Sequence, residues 1–561
     1  MKRFWYPFML LILILPLFAG CAAPTPPPAP SAAPQIIEKT VLATQLVEKV
    51  VTQVVEKWVY VTPTVPPVPT VPERGGTVTI TYFQDFGPGF PDVYMDNSST
   101  SFMISAQMFD TLVRFNPKHE VEGSLAKSWE VSTDGKTYTF HLQQGVKFHN
   151  GKEFKAEDVI YSLDRARDPA KSVFASSLDT ISKIEASGDY TVIITTKEPF
   201  AAFLDKLAFF NIVMLPKDHV PTAETTIGTG PFKMESLVAN ATLTLVRNPD
   251  YWAKGDQNLP YLDKVVINYI GDEMARFGSL MSNQSDMIFT PPHTARPTIE
   301  QSADYAIYPG MTQYEGIVLN AKKVPAFANP LVREALNIAI NRKEIVDVAL
   351  DGVGLPMLGD LELPGTWAAA GTEFVPLEGN IAKAKELMKQ AGYEKGFSFT
   401  LSNWELWPTE VKAETLIQAS LAQLNIDVKF EHVNSGQWAE KVMKGNIDAV
   451  FQGWGSLVDP DFDYRTVFHP TQALIINVWD NQKIADMIDA AAKEMDPTKR
   501  SQAYKDLITA LYASGQDTYT NVLLLWREPQ DIATNVKRVH GYVDDGSFGN
   551  LTALKQMWVS K

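Results

Sequence analysis

Cysteine is almost absent from this chain: Cys21 is the only one in 561 residues. Its place near the amino terminus leaves the rest of the chain without a disulfide, a thiolate metal site or a cysteine nucleophile. Histidine is scarce as well, eight in all, with no metal-like spacing among them. Positive charge is in deficit, 50 Lys and Arg against 65 Asp and Glu, for a formal net charge of −15. Phosphate binding needs a basic face, so this balance argues against a nucleic-acid partner. The glycine cluster Gly228-Thr229-Gly230 lacks a following Lys-Ser or Lys-Thr and opens a strand, so it is not a phosphate loop. No Ser/His/Asp elbow or paired-carboxylate motif stands out, which argues against an enzyme.

What is present begins with a leader. Met1-Lys2-Arg3 gives a charged start, and Phe4 to Phe18 is an apolar run too short for a comfortable membrane span. Ala19-Gly20-Cys21 follows, small residues before a cysteine. This resembles the bacterial lipoprotein processing site, although Phe18 stands where Leu is commoner. The resemblance implies that Cys21 is acylated and becomes the mature amino terminus, holding the protein outside the cytoplasm on the cell membrane. Residues 22–72 read as a tether. Pro24 to Pro34 and Pro63 to Pro72 are proline-rich spacers, and Leu46-Val47-Glu48-Lys49 recurs as Val54-Val55-Glu56-Lys57 between them.

The remaining length exceeds one hydrophobic core, so two or three domains are expected. Thr77 to Tyr82 alternates β-branched residues and reads as a strand. Trp129 to Val131 and Tyr138 to Leu142 flank Asp134-Gly135, a hairpin with a tight turn. A second turn falls at Asn150-Gly151, and Ala156 to Arg167 has helical spacing, ended by Asp168-Pro169. Ile181 to Ser187 and Tyr190 to Thr196 form another strand–turn–strand. Asn329 and Asn380 stand as helix caps, the first with Pro330 behind it. Helices are expected over Lys412 to Leu424, Gln437 to Lys444, Gln482 to Glu494 and Pro497 to Ala513. Strands are expected over Phe397 to Leu401, Asp427 to Glu431, Ile447 to Gln452 and Asn521 to Trp526. Alternation of this length implies a sheet covered by helices.

The wording of Gly123 to Asp168 is more specific than its periodicity. It resembles the signature region of family 5 extracellular solute-binding proteins, the peptide- and nickel-binding components of ABC importers. Phe109-Asp110-Thr111-Leu112-Val113, Gly228-Thr229-Gly230-Pro231-Phe232 and Asn248-Pro249-Asp250-Tyr251-Trp252 extend the likeness, while Gln143 departs from it where the family usually carries Arg or Lys. The resemblance implies an α/β, two-lobed periplasmic-binding-protein-like fold of class II, with an extra subdomain and a discontinuous first lobe. We assign 1–21 to the signal peptide, 22–72 to the tether, and 73–109, 226–319 and 521–561 to the first lobe. The span 110–225 goes to the added subdomain and 320–520 to the second lobe, with hinges near 226–230 and 316–321. The implied partners are a small solute, oligopeptide or oligosaccharide, and an ABC transporter permease, with no cofactor and no catalytic residue. A ligand sensor without a transport partner and an extracellular hydrolase are the competing classes.

Gln452 to Asp461 is the stretch most suited to touch ligand. Trp454, between Gly453 and Gly455, follows an expected strand and would stand at its carboxyl end, where α/β sheets bind ligands. Ser456, Leu457 and Val458 fill the place where peptide-binding relatives usually carry an acid for the ligand's amino terminus. The next acid is Asp459, which serves equally as a cap for the following turn. Asn97 and Ser98 lie just after the first strand, and Tyr314 and Glu315 precede the strand leading out of the first lobe; each is a ligand or a loop and hinge residue. Among the histidines, His141 and His149 read as structural, and His469 alone is kept as a candidate for a nickel complex.

Overall fold

The computed structural model describes residues 71–560, apart from positions 88, 97, 117–119, 210, 256–258, 309–311, 363–365, 405–407, 435–436, 438–439, 443, 456–458, 472–477 and 543–551. Cys21, residues 22–70 of the tether, Asn97, Ser456 and positions 438, 439 and 443 of the helix expected at 437–444 therefore lie outside the described residues. No helix among the described residues is long and apolar enough to cross a membrane.

The chain opens with β1 (Thr77–Tyr82) and α1 (Ser99–Met108), then β2 (Ala126–Val131), β3 (Thr137–Leu142), α2 (Ala156–Ala166), β4 (Ile181–Ala186), β5 (Thr191–Thr196) and α3 (Phe203–Ala208). It continues with β6 (Phe232–Val238), β7 (Thr242–Arg247), β8 (Lys264–Tyr269), α4 (Glu273–Met281), β9 (Met287–Phe289), β10 (Tyr305–Tyr308) and β11 (Thr312–Leu319). Next come α5 (Pro330–Ala339), β12 (Leu355–Pro356), α6 (Ile381–Gln390), β13 (Ser398–Trp404), α7 (Pro408–Ala422), β14 (Asp427–Val433) and β15 (Ala449–Gly455). The last are α8 (Pro460–Phe468), α9 (Gln482–Lys493), α10 (Pro497–Leu511), β16 (Val522–Pro529) and β17 (Ile532–Asn535).

Three sheets organise these elements. The first runs β10-β17-β9-β1-β8-β7-β6, and the second runs β12-β16-β11-β15-β13-β14. The third, β2-β3-β5-β4, is a four-stranded antiparallel sheet built from residues 126–196 alone. In β1, Val78 and Ile80 are fully buried, and the strand pairs in parallel with β8 and β9 on either side. A parallel central strand needs crossover connections, which explains why its neighbours come from far along the chain. The first and second sheets give the molecule its two lobes, each with its own apolar core.

The sequence-level strands and helices fall within a few residues of these elements. Gly135 takes the left-handed φ of +68° in the β2–β3 turn and Gly151 one of +86° in the next. Asn329 and Asn380 cap α5 and α6 through their side chains. One difference concerns the boundary between lobes. β11 and β16, expected in the first lobe, are neighbouring strands in the middle of the second sheet. The chain passes between the two sheets after Tyr308 and again between Pro529 and Ile532, where β10 and β17 are paired in the first sheet. Apolar strands buried on both faces carry no mark of which sheet they join.

Candidate functional site

The motifs that carry the family resemblance converge on one junction. Asp110 accepts hydrogen bonds from Thr229 Oγ1 and from Trp252 Nε1, each at 2.8 Å. Gly228 N–H donates to His149 Nδ1 at 3.2 Å, and His149 Nε2 stands 3.1 Å from the Gly230 carbonyl. These partners fix the neutral imidazole with its proton on Nε2. Burial, only partly offset by the Gly230 carbonyl, pushes the His149 pKa down to about 4. A Cβ on Gly230 would lie 2.5 Å from the Met108 carbonyl carbon, so glycine is required where the chain returns under α1. This junction ties the third sheet to the first lobe and is structural.

The candidate ligand segment is placed by pairing of β11 with β15, which sets Tyr314 opposite Trp454 and Glu315 opposite Gly453. The Tyr314 and Trp454 rings stack with centroids 5.6 Å apart and an interplanar angle of 22°. Tyr314 is fully buried and Trp454 is 8% exposed. The Arg527 guanidinium sits 5.3 Å from the Tyr314 centroid, a cation–π contact, and donates to the Leu361 carbonyl. Both aromatic rings therefore belong to the core of the second lobe, with Tyr464 and Trp479.

Gly453 is set on the opposite face. A Cβ there would approach Glu315 Oε1 to 2.3 Å and Gln313 Nε2 to 2.4 Å. Gly453 thus clears space for the Gln313–Glu315 hydrogen bond of 2.6 Å. Gly455 is the last residue of β15, opposite Gln313. Ser98 caps α1, its hydroxyl accepting from Ser101 N–H at 3.1 Å while its own N–H donates to Asp96 at 2.8 Å.

Asp459 caps α8 through the Asp461 N–H at 2.9 Å. Its two oxygens also receive Arg500 Nη1 and Nη2, each at 2.8 Å, a fork-to-fork pair in a buried setting. Its neighbour Asp461, fully buried, faces Arg465 at 2.9 Å and Lys206 Nζ at 3.3 Å. Lys206 comes from α3, and the same Nζ stands 4.8 Å from the Phe462 ring. Asp205, beside it, has its pKa pushed up to about 7 by burial and by the Asp459 charge. A network of charges thus links α3, α8 and α10. The sequence reading passed over Asp205, Lys206 and Arg500, because a charged residue on a helix reads as a solvated face.

His469 Nδ1 lies 2.7 Å from Thr471 Oγ1 and its Nε2 3.5 Å from Asp489. Among the described residues no group of three or more His, Cys, Asp or Glu side chains is placed to hold a metal ion.

Comparison with known proteins agrees with this architecture. The model of the bacterial extracellular solute-binding proteins, family 5 Middle, matches residues 120–474. The chain belongs to that family. The glutathione-binding protein GsiB of Shigella flexneri serotype 5b is 30% identical over 433 residues, 74% of this chain and 83% of that protein. The periplasmic binding protein DppA of Helicobacter pylori, solved with the peptide STSA, shares the fold with a TM-score of 0.77 and 28% identity. That likeness covers 87% of this chain and 99% of DppA. The oligopeptide-binding protein AppA of Bacillus subtilis, solved with a nonapeptide, follows with a TM-score of 0.75 and 25% identity, over 88% of this chain and all of AppA.

Proposed function

We propose that this protein is the lipid-anchored substrate-binding component of an ABC importer, and that it takes an oligopeptide into the cleft between its lobes. The observation that carries the reading is the likeness of nearly the whole described fold to DppA and AppA, both solved with peptides bound. A peptide suits such a cleft because its backbone groups hydrogen-bond without regard to sequence. Closure of the lobes brings both to the ligand, and the closed form is what a permease then recognises. Cys21 supplies the anchor and the tether its reach from the membrane.

Thermal-shift measurement on the full-length protein tests the ligand class, since a ligand bound only by the native state raises the melting temperature. Unblocked peptides of graded length are expected to stabilise it. Stabilisation by cello-, xylo- or manno-oligosaccharides and by no peptide would sink the peptide reading.

A further inference from the structure

The third sheet is held to its neighbours in two unlike ways. To the first lobe it is bound by the junction of Asp110, Thr229, Trp252 and His149 with the turn from Gly228 to Gly230. To the second lobe it is bound by a line of separate side-chain and backbone contacts. α3 is seated on the third sheet by Phe203, whose ring centroid stands 4.6 Å from that of Tyr138. From there it sends Lys206 to Asp461 and Phe209 to Phe462, both on α8. Just before α3, Ala201 N–H donates to the Ala492 carbonyl near the end of α9. A Cβ on Gly135, in the β2–β3 turn, would lie 3.6 Å from Met495 Cε, so that turn rests on the corner between α9 and α10.

α9 itself straddles the boundary. Ala491 belongs to the apolar core of the second lobe, and Ala492, the next residue, to the core shared by the third sheet and the first lobe.

These contacts can part without leaving a buried charge unmet. Asp461 keeps Arg465 at 2.9 Å, and the Lys206 ammonium passes into water. Phe209 keeps Phe102 and Phe174, with centroids 5.3 and 5.8 Å away. Phe462 is only half-buried, and Met495 is already 46% exposed. The junction with the first lobe lacks this property. Parting it would strip the buried Thr229 hydroxyl of its acceptor and separate the His149 ring from both of its backbone partners. When the lobes separate, the contacts with the second lobe are therefore the ones that yield.

We propose that the third sheet is a clasp on the second lobe: α3 and the β2–β3 turn grip α8 and the α9–α10 corner, and this grip helps hold a captured solute between the lobes. The grip is made by the chain alone, whereas its part in holding solute rests on the reading of the protein as a peptide-binding component of an importer. Its free energy is gained only with the lobes together, so it adds to the affinity of any ligand that touches both. Loss of the clasp then shows chiefly in the rate of dissociation.

Hydrogen exchange read by mass spectrometry on the full-length wild type, Phe462→Ala and Met495→Ala tests the clasp. Ala201 is the native reporter, because its N–H finds its acceptor across the boundary. Peptides spanning residues 200–209 are expected to exchange about tenfold faster in Phe462→Ala and about threefold faster in Met495→Ala. β3 and β15 should exchange as in wild type, which a general loosening of the fold would not allow. Dissociation of unblocked trialanine, or of an unblocked nonapeptide of alternating Gly and Ser, should quicken by similar factors, with association unchanged within about twofold. Unchanged exchange over 200–209 in both variants, or exchange that rises equally in β3 and β15, would overturn the clasp. Faster exchange with unchanged dissociation of a bound peptide would overturn its part in holding solute. Binding of neither peptide counts against the peptide reading and leaves exchange to decide the clasp. Met495→Ala carries the test should Phe462→Ala fail to fold, since the Met495 side chain is about half exposed.

Discussion

Trp454→Ala removes a ring that is 8% exposed and stacked on Tyr314 inside the second lobe. Its first expected effect is on stability, about 3–5 kcal/mol, the usual cost of emptying a large buried aromatic site. Chemical denaturation of the ligand-free variant measures it, and a loss below about 1 kcal/mol would contradict the packing described. His149 makes the second residue-scale prediction. Its folded pKa of about 4 lies below the unfolded value of 6.5, so the unfolded chain binds the proton first as pH falls. Stability from this group is full above pH 6.5 and is lost progressively down to about pH 4, by roughly 3 kcal/mol in all. The charged group facing the imidazole is Lys233, whose Nζ donates to the His149 carbonyl at 3.1 Å and which also disfavours the protonated ring. His149→Gln should flatten the stability–pH curve in that window; an unchanged slope would show that other groups produce it.

At the scale of elements, the contact of α3 with α8 joins the added sheet to the second lobe. Lys206 meets Asp461, Phe209 stacks on Phe462 with centroids 5.8 Å apart, and Ala201 N–H donates to the Ala492 carbonyl at 2.9 Å. Lys206→Ala leaves Asp461 its bond to Arg465, so the expected cost is about 1–2 kcal/mol, less than for a carboxylate stripped of every partner. Small-angle scattering of the ligand-free variant should give a larger radius of gyration than wild type, and an identical profile would deny these contacts a part in closure. The sequence made the elements legible and this contact illegible. Hairpin turns, caps and alternating strands are local signals, carried by Asp134-Gly135, Asn329 or Val78 and Ile80. Which sheet β11 and β16 join is decided by partners hundreds of residues away. The candidate site divides the same way. Trp454 between two glycines drew notice and proved to be packed, whereas Arg500 resembled a solvated helical charge and proved to hold Asp459 in a buried fork. Only the fold brings them together.

For the whole molecule, the anchor is the simplest claim to test. Cys21→Ser should yield soluble protein or an unprocessed precursor, and mature protein still fractionating with membranes would refute the lipid anchor. More than one acyl chain is expected, because a single chain holds a protein only marginally. The sheet orders have a consequence for how such a chain is made. The third sheet is complete once residue 196 has emerged, since all its strands lie between residues 126 and 196. Neither lobe is so favoured. β16 fills a place between β12 and β11 in the second sheet, and β17 one between β10 and β9 in the first. Synthesis runs from the amino end, so both lobes wait with a vacant strand position until the last tenth of the chain appears. Until then each presents unpaired backbone edges, a ready template for pairing with other chains. A chain that stops short of residue 522 therefore lacks a strand in both lobes at once, and what remains able to close on itself is the small sheet between them in sequence.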